Sequence, residues 1–249
     1  MTTSSTSPPS SASTVAHRLT GTPVLAAWTT RADGDMRALH GRAPGDRGGP
    51  ASAVVGDRPV RFIRQVHGAA VVVLGTWAPD GARSWTPGAE GSAPEGDALL
   101  DGGRLEAVAV LVADCAPVAL GSPEGVHGAV HVGWRGLAAG VVRAAVGTMR
   151  DLGASTVVAG VGPCIGPCCY EFSPRDLDPL RAAFGPTVVA RSATGAPSLD
   201  LRAGVAVALE RAGAPVMVAH DACTACAPGY FSHRARADTA RQAVLVWRD

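Results

Sequence analysis

The sequence contains no lysine and no asparagine, and all 22 of its basic residues are arginine. The first absence excludes a Walker-type phosphate loop, a Schiff-base lysine and a kinase-type ATP lysine, each of which needs an ammonium group. The second excludes N-glycosylation, because no acceptor sequon exists. Any anion site must therefore use arginine, histidine or backbone N–H groups. An excess of one charge is also lacking. The 22 basic and 21 acidic residues leave a net charge of +1, so no basic surplus points to nucleic acid or to an anionic membrane. No run approaches the ~18 apolar residues of a membrane-spanning helix. The opening residues carry neither a basic segment nor an apolar one of the secretory kind, and a cytoplasmic location is expected.

What is present is a globular, apolar-rich chain. Its 249 residues are 47% hydrophobic and 17% charged, ample for a buried core. Residues 1–16, rich in Ser, Thr and Pro, read as a disordered tail, and 17–249 as one domain. Apolar runs predict strands over 22–30, 60–66, 70–74, 106–113, 126–132, 156–161, 215–219 and 242–247. Helical spacing predicts helices over 137–151, 176–184 and 201–212. Residues 32–58 and 78–96 are rich in Gly and Pro and read as loops. The class is α/β with more strand than helix.

Three polar residues stand at the ends or edges of these strands: His67 in Gln-Val-His, Cys115 in Ala-Asp-Cys, and His131 in His-Val-Gly-Trp-Arg-Gly. A thiolate and two imidazoles make a three-ligand transition-metal site with a free fourth position, and the set suits zinc or copper. Taken singly, a histidine at a strand end is more often a hydrogen-bonded core residue than a ligand, and a lone cysteine in an apolar run is usually inert packing. His127 and His131 cannot share an ion if both lie on a strand, since four residues then span about 13 Å. His127 is the weaker candidate.

The glycine loop from Gly160 to Gly166 misses the dinucleotide fingerprint, because its third glycine is one position late and Pro163 interrupts it. The chain has six cysteines. In a cytosolic protein these are thiols or metal ligands rather than a disulfide framework. A structural zinc site among Cys164, Cys168, Cys169, Cys223 and Cys226 is disfavoured, because only Cys223 and Cys226 have regular Cys-x-x-Cys spacing. The arginines Arg31, Arg64, Arg135, Arg234 and Arg241 lie in turns or beside the candidate ligands, where their forks suit phosphate or carboxylate.

Several motifs recur in order: Gln65-Val66-His67-Gly68, Ala113-Asp114-Cys115-Ala116-Pro117, His131-Val132-Gly133-Trp134-Arg135-Gly136, Gly162-Pro163-Cys164-Ile165-Gly166, Tyr170-Glu171, Cys223-Thr224 and Phe231-Ser232-His233-Arg234. Together they resemble the family of laccase-domain multicopper polyphenol oxidases, peptidoglycan editing factors and zinc-dependent purine nucleoside phosphorylases. The resemblance runs from Thr29-Thr30-Arg31 to the C-terminus. It implies a single-domain α/β sandwich of mixed β-sheets flanked by helices. It implies a metal, Zn2+ with Cu2+ as the alternative, on His67, Cys115 and His131. The implied activities are phosphorolysis of adenosine, inosine and methylthioadenosine, and deamination of adenosine. Asp114 and Arg135 are then candidate catalytic groups, Asp114 by holding a ligand imidazole. Arg31, Arg64, Arg234 and Arg241 are candidate substrate or phosphate contacts.

The chain departs from the family pattern at Leu39-His40, in the shortened stretch 47–58, at Ala235 where a second arginine is expected, and at Ala240 between Thr239 and Arg241. None of these is a ligand; the last two bear on anion contacts. The expected partners are a small-molecule nucleoside and phosphate, with no nucleic acid and no membrane, in a monomer or homodimer. Three other readings stand beside this one. They are copper-dependent phenol oxidation, a Cys-His hydrolase editing peptidoglycan precursors with Cys115 as nucleophile, and a non-catalytic metal-binding protein.

Overall fold

The β-branched runs become strands, but most carry no polar alternation, because they are covered on both faces. The computed structural model describes residues 14–41, 49–87, 93–104 and 106–249. The tail expected over 1–16 lies outside the described residues through position 13; Ala16 already pairs with Ala27 at the edge of a sheet. Parts of the two expected loops, 42–48 and 88–92, also lie outside them.

Two mixed sheets stack face to face. The first has five strands in the order Ala16–Arg18, Val24–Trp28, Gln242–Arg248, Ala107–Val112 and Val60–Phe62. The second has seven, in the order Val216–Ala219, Val158–Val161, Ala116–Gly121, His127–Val132, Ala98–Asp101, Val71–Leu74 and Ala82–Trp85. The period-2 geometry of a strand sends alternate side chains to different layers. Val72, Leu74, Leu99 and Ala119 join Val108, Val110, Val244 and Val246 between the sheets. Their neighbours Val71, Val73, Leu100, Val118 and Leu120 face the helices. Ala107, Ala109, Leu111, Ala243 and Leu245 face outward beneath Met36, Leu39 and Val55. Each fully buried Val or Leu contributes about 1.5–3 kcal/mol relative to exposure. The architecture is the expected α/β sandwich with helices on the outside.

The helices cover the second sheet. Val141–Asp151 buries Val141, Val142, Ala145, Val146 and Met149, one apolar stripe along its length. Leu201–Arg211 is capped by Asp200, whose carboxylate accepts from the Ala203 N–H at 2.9 Å. Pro174–Phe184 opens with Ser173 as cap and proline in the first turn. The single helix expected over 137–151 is two, Trp134–Ala139 and Val141–Asp151, separated by Gly140 in the left-handed region at φ 85°. Glycine reaches that conformation at no steric cost, so the chain turns there.

Strands Ala98–Asp101, Ala116–Gly121 and Ala82–Trp85 were not foreseen. Ala116–Gly121 is central in its sheet although Pro117 is its second residue. Proline is tolerated there because it stands at the strand's start and its carbonyl still accepts, from Gly162 N–H at 2.9 Å and from the Trp28 indole at 3.2 Å.

The topology matters most at one end of the sandwich. Residues 63–70 pass from the first sheet to the second, as do 113–115, and 220–241 return from the second to the first. Gln65 ties the first passage to the strand that leads into the second, donating to the Leu111 carbonyl at 2.7 Å and accepting from the Leu111 N–H at 2.8 Å.

Candidate metal centre

His67 and Cys115 lie on two of these inter-sheet passages, and His131 lies on the adjoining strand opposite Pro117. Their ligand atoms all fall within 4.8 Å of one another. Cys115 Sγ is 3.9 Å from His67 Nε2. The two imidazoles meet nearly edge to face, with centroids 4.7 Å apart. Zn–S near ~2.3 Å and Zn–N near ~2.0 Å in a tetrahedron put sulfur and nitrogen about 3.5 Å apart, so the donors stand close to the spacing a zinc ion requires. Gly133 keeps the space open: a Cβ there would sit 3.0 Å from His67 Cδ2 and 3.1 Å from Cys115 Sγ. The residues present fit a metal ion.

Asp97 organises the donors. Its side chain is fully buried, and it accepts from His131 Nδ1 at 2.8 Å, from His67 N–H at 2.9 Å and from Gly68 N–H at 2.7 Å. The first bond orients the His131 ring and leaves Nε2 for the site. The other two hold His67 in the left-handed region at φ 61°, and Asp114 beside Cys115 is also there, at φ 92°. Such conformations cost about 1–3 kcal/mol each and persist where surrounding bonds over-determine them. Burial alone would raise the Asp97 carboxyl; the hydrogen bonds from His131, Gly68 and His67 outweigh it and leave its pKa below the ordinary value.

Asp114 does not hold an imidazole; that task falls to Asp97. The Asp114 carboxylate accepts from Thr224 Oγ1 at 2.6 Å and from Arg234 N–H at 2.7 Å, joining the second and third inter-sheet passages.

The donor set is electrostatically coupled. Burial would raise the Cys115 thiol, but the charge of His131 and hydrogen bonds from both imidazoles bring it down to about 6. Burial would lower His131, but the Cys115 thiolate and Asp97 carry it up to about 9. Without a metal, the pair is a thiolate and an imidazolium near neutral pH.

The three donors line a cavity of about 550 Å³, within the ~300–1,000 Å³ usual for small-molecule sites. Four of the five sequence-nominated arginines line it and one does not. Arg135 stacks on Trp134 at 4.3 Å. Arg234 lies over the Tyr170 ring at 4.9 Å and donates to the Glu171 carbonyl at 3.3 Å. Among the described residues neither has a carboxylate partner. Arg64 is paired with Glu95. Arg241 turns its guanidinium onto the carbonyls of Asp238, Thr239 and Ala240. Arg31 is not among the lining residues; it pairs with Asp238 at 2.7 Å and stacks on Phe231.

The sequence matches the family described as multi-copper polyphenol oxidoreductase laccase over residues 51–249. The chain belongs to this family. A purine nucleoside phosphorylase of Streptomyces coelicolor is 40% identical over 204 residues, covering 80% of each chain. One of Corynebacterium glutamicum is 32% identical over 243 residues, 90% of this chain and 94% of the other. The crystal structure of a Neisseria meningitidis protein superposes with a TM-score of 0.72 at 26% identity, covering 95% of this chain and 99% of that one. Within this laccase-family domain, sequence reasoning missed Asp97, Arg37 and the cavity-facing position of His233. Asp97 had one faint signal, an acidic residue immediately before the apolar run Ala98–Leu100.

Proposed function

We propose that this chain is a zinc-dependent purine nucleoside phosphorylase acting on adenosine, inosine and methylthioadenosine, with deamination of adenosine as a second activity. The observation that carries this is a His-Cys-His donor set lining a cavity that also presents two arginines without carboxylate partners. The names of the relatives support it. A zinc ion on His67, Cys115 and His131 would supply Lewis acidity to an oxygen in the cavity.

The chain's own groups do the positioning. Arg135 and Arg234, stiffened by stacking on Trp134 and Tyr170, offer forks for a phosphate dianion. The backbone bond from Arg234 to Asp114 sets where that fork begins. Phosphate held there attacks C1′ of the nucleoside while the C1′–N9 bond breaks, and its electron pair leaves with the purine, which takes up a proton. Holding both reactants in one cavity supplies the orientation such a displacement needs. Arg64 and Arg241, already occupied, shape the cavity's charge rather than grip the anion.

Copper-dependent phenol oxidation is the reading the family's description favours. Full reduction of dioxygen needs several coppers with histidine-rich ligation. Among the described residues the groups able to hold a metal are the His-Cys-His set and a cluster of four cysteines, which offers no imidazole. The test is phosphate-dependent release of hypoxanthine from inosine by the wild-type chain beside Cys115→Ala from identical preparations. Release by the wild type alone is expected. Equal release by both would overturn the assignment. No release from a metal-loaded wild type would move it to the precursor-editing hydrolase, with Cys115 as nucleophile.

A further inference from the structure

Away from the His-Cys-His donors, Cys168, Cys169, Cys223 and Cys226 bring four sulfur atoms within 4.8 Å of one another. Cys226 Sγ lies 3.6 Å from Cys168 Sγ and 3.3 Å from Cys169 Sγ. Four thiolates around a zinc ion at ~2.3 Å stand about 3.8 Å apart along the edges of the tetrahedron, close to these separations. All four are free thiols. A disulfide needs sulfurs at ~2.05 Å, and Cys226 faces two candidate partners at once rather than one.

The surrounding backbone is shaped for sulfur. Cys223 and Cys226 close a tight turn, with Cys226 and Ala227 N–H groups donating to the Cys223 carbonyl at 3.2 and 2.9 Å. The Gly166 N–H donates to Cys223 Sγ at 3.1 Å, a bond that favours the thiolate. The fit at that position is tight: a Cβ would meet Cys223 Cβ at 3.2 Å and Cys168 Sγ at 3.3 Å. Cys168 and Cys169 come from a single turn of 3-10 helix, Pro167–Cys169. The irregular spacing that weighed against a zinc site in the sequence came partly from counting Cys164. That residue is buried, stands outside the cluster, and pairs through its backbone with Cys223.

We propose that Cys168, Cys169, Cys223 and Cys226 bind a second, structural zinc ion. Four sulfur donors with no open position are the pattern of a structural site rather than a catalytic one. Its place in the fold gives it a task. It clips the 163–171 loop to the 222–227 turn, beside the bond from Thr224 N–H to the Cys164 carbonyl at 3.1 Å. From the loop, Ile165 N–H donates to the Asp114 carbonyl at 2.9 Å; from the turn, Thr224 Oγ1 donates to its carboxylate at 2.6 Å. Both segments therefore bear on the residue before Cys115, and the zinc clip fastens that wall of the cavity.

The test is metal analysis of the full-length His67→Ala/Cys115→Ala chain, in which the His-Cys-His site is dismantled, grown with zinc. One zinc per chain is expected, against two for the wild type. Replacement of that zinc by cobalt is expected to give the strong thiolate charge-transfer absorption of a tetrahedral four-sulfur site. Adding Cys223→Ser and Cys226→Ser removes the remaining ion; if that variant does not fold, the count on His67→Ala/Cys115→Ala still decides. Absence of zinc from His67→Ala/Cys115→Ala, iron in its place, or a disulfide among these cysteines in the native protein would overturn the proposal.

Discussion

Replacing Asp97 with asparagine removes one charge and no volume from a fully buried position. The carboxylate accepts three hydrogen bonds of ordinary length, from His131 Nδ1 and from the N–H groups of His67 and Gly68. An amide has one accepting oxygen and one donating nitrogen. If the oxygen keeps His131 and the His67 N–H, which share Oδ1, the nitrogen faces the Gly68 N–H, donor against donor. One unsatisfied buried donor costs about 1–3 kcal/mol, and the surviving bonds lose their charge assistance, worth roughly another 1 kcal/mol. The left-handed backbone at His67 then loses part of what holds it. We expect Asp97→Asn to be about 2–4 kcal/mol less stable in urea unfolding. We also expect 10–100-fold weaker zinc at the His-Cys-His site, the range for losing a carboxylate behind a ligand imidazole. Chelator competition on a chain with the four-cysteine cluster removed isolates that affinity. Zinc affinity within twofold of the parent chain and unchanged unfolding would refute the role assigned to Asp97.

Metal uptake by the His-Cys-His site should release about one proton at pH 7.5. His131 carries its proton up to about 9, and Cys115 has lost its own above about 6. The contribution of this pair should vanish as pH rises through 9 and approach two protons as pH falls through 6; calorimetry in buffers of different ionisation enthalpy reads it, and zero release at pH 7.5 would contradict the thiolate–imidazolium pair. Arg234→Ala should raise KM for phosphate at least tenfold, since its guanidinium has no carboxylate partner among the described residues while its backbone bond to Asp114 survives the change. Arg31→Ala should leave that KM within about twofold and lower stability by about 1 kcal/mol or less, because its partner is Asp238 in a partly buried pair outside the cavity. A larger effect of Arg31 than of Arg234 on phosphate KM would invert the assignment.

The α/β class and most of the long strands are legible in the residues themselves, and the three candidate ligands stand out as a set once the family resemblance is added. Their signals are local: a β-branched run such as Ala107–Val112, or a histidine and a cysteine set in Gln-Val-His-Gly and Ala-Asp-Cys. Strand Ala116–Gly121 was obscured by Pro117, whose missing N–H reads locally as a break although its carbonyl is used twice. Which face of each buried strand meets the helices is not written in the pattern either, because both faces are apolar.

The sequence by itself determined which chemical groups are available: arginine as the only basic residue besides histidine, two imidazoles and a thiol at strand ends, and cysteines in excess of that site. The tertiary structure alone decided which of them meet. Asp97 reaches His131 across 34 residues, and Cys169 reaches Cys226 across 57. Arg31 turns away from the cavity that Arg135 and Arg234 line. Those outcomes depend on three passages of the chain between stacked sheets at one end of the sandwich. Closure of loops that long is set by the packing of both sheets, and no local window of sequence carries it.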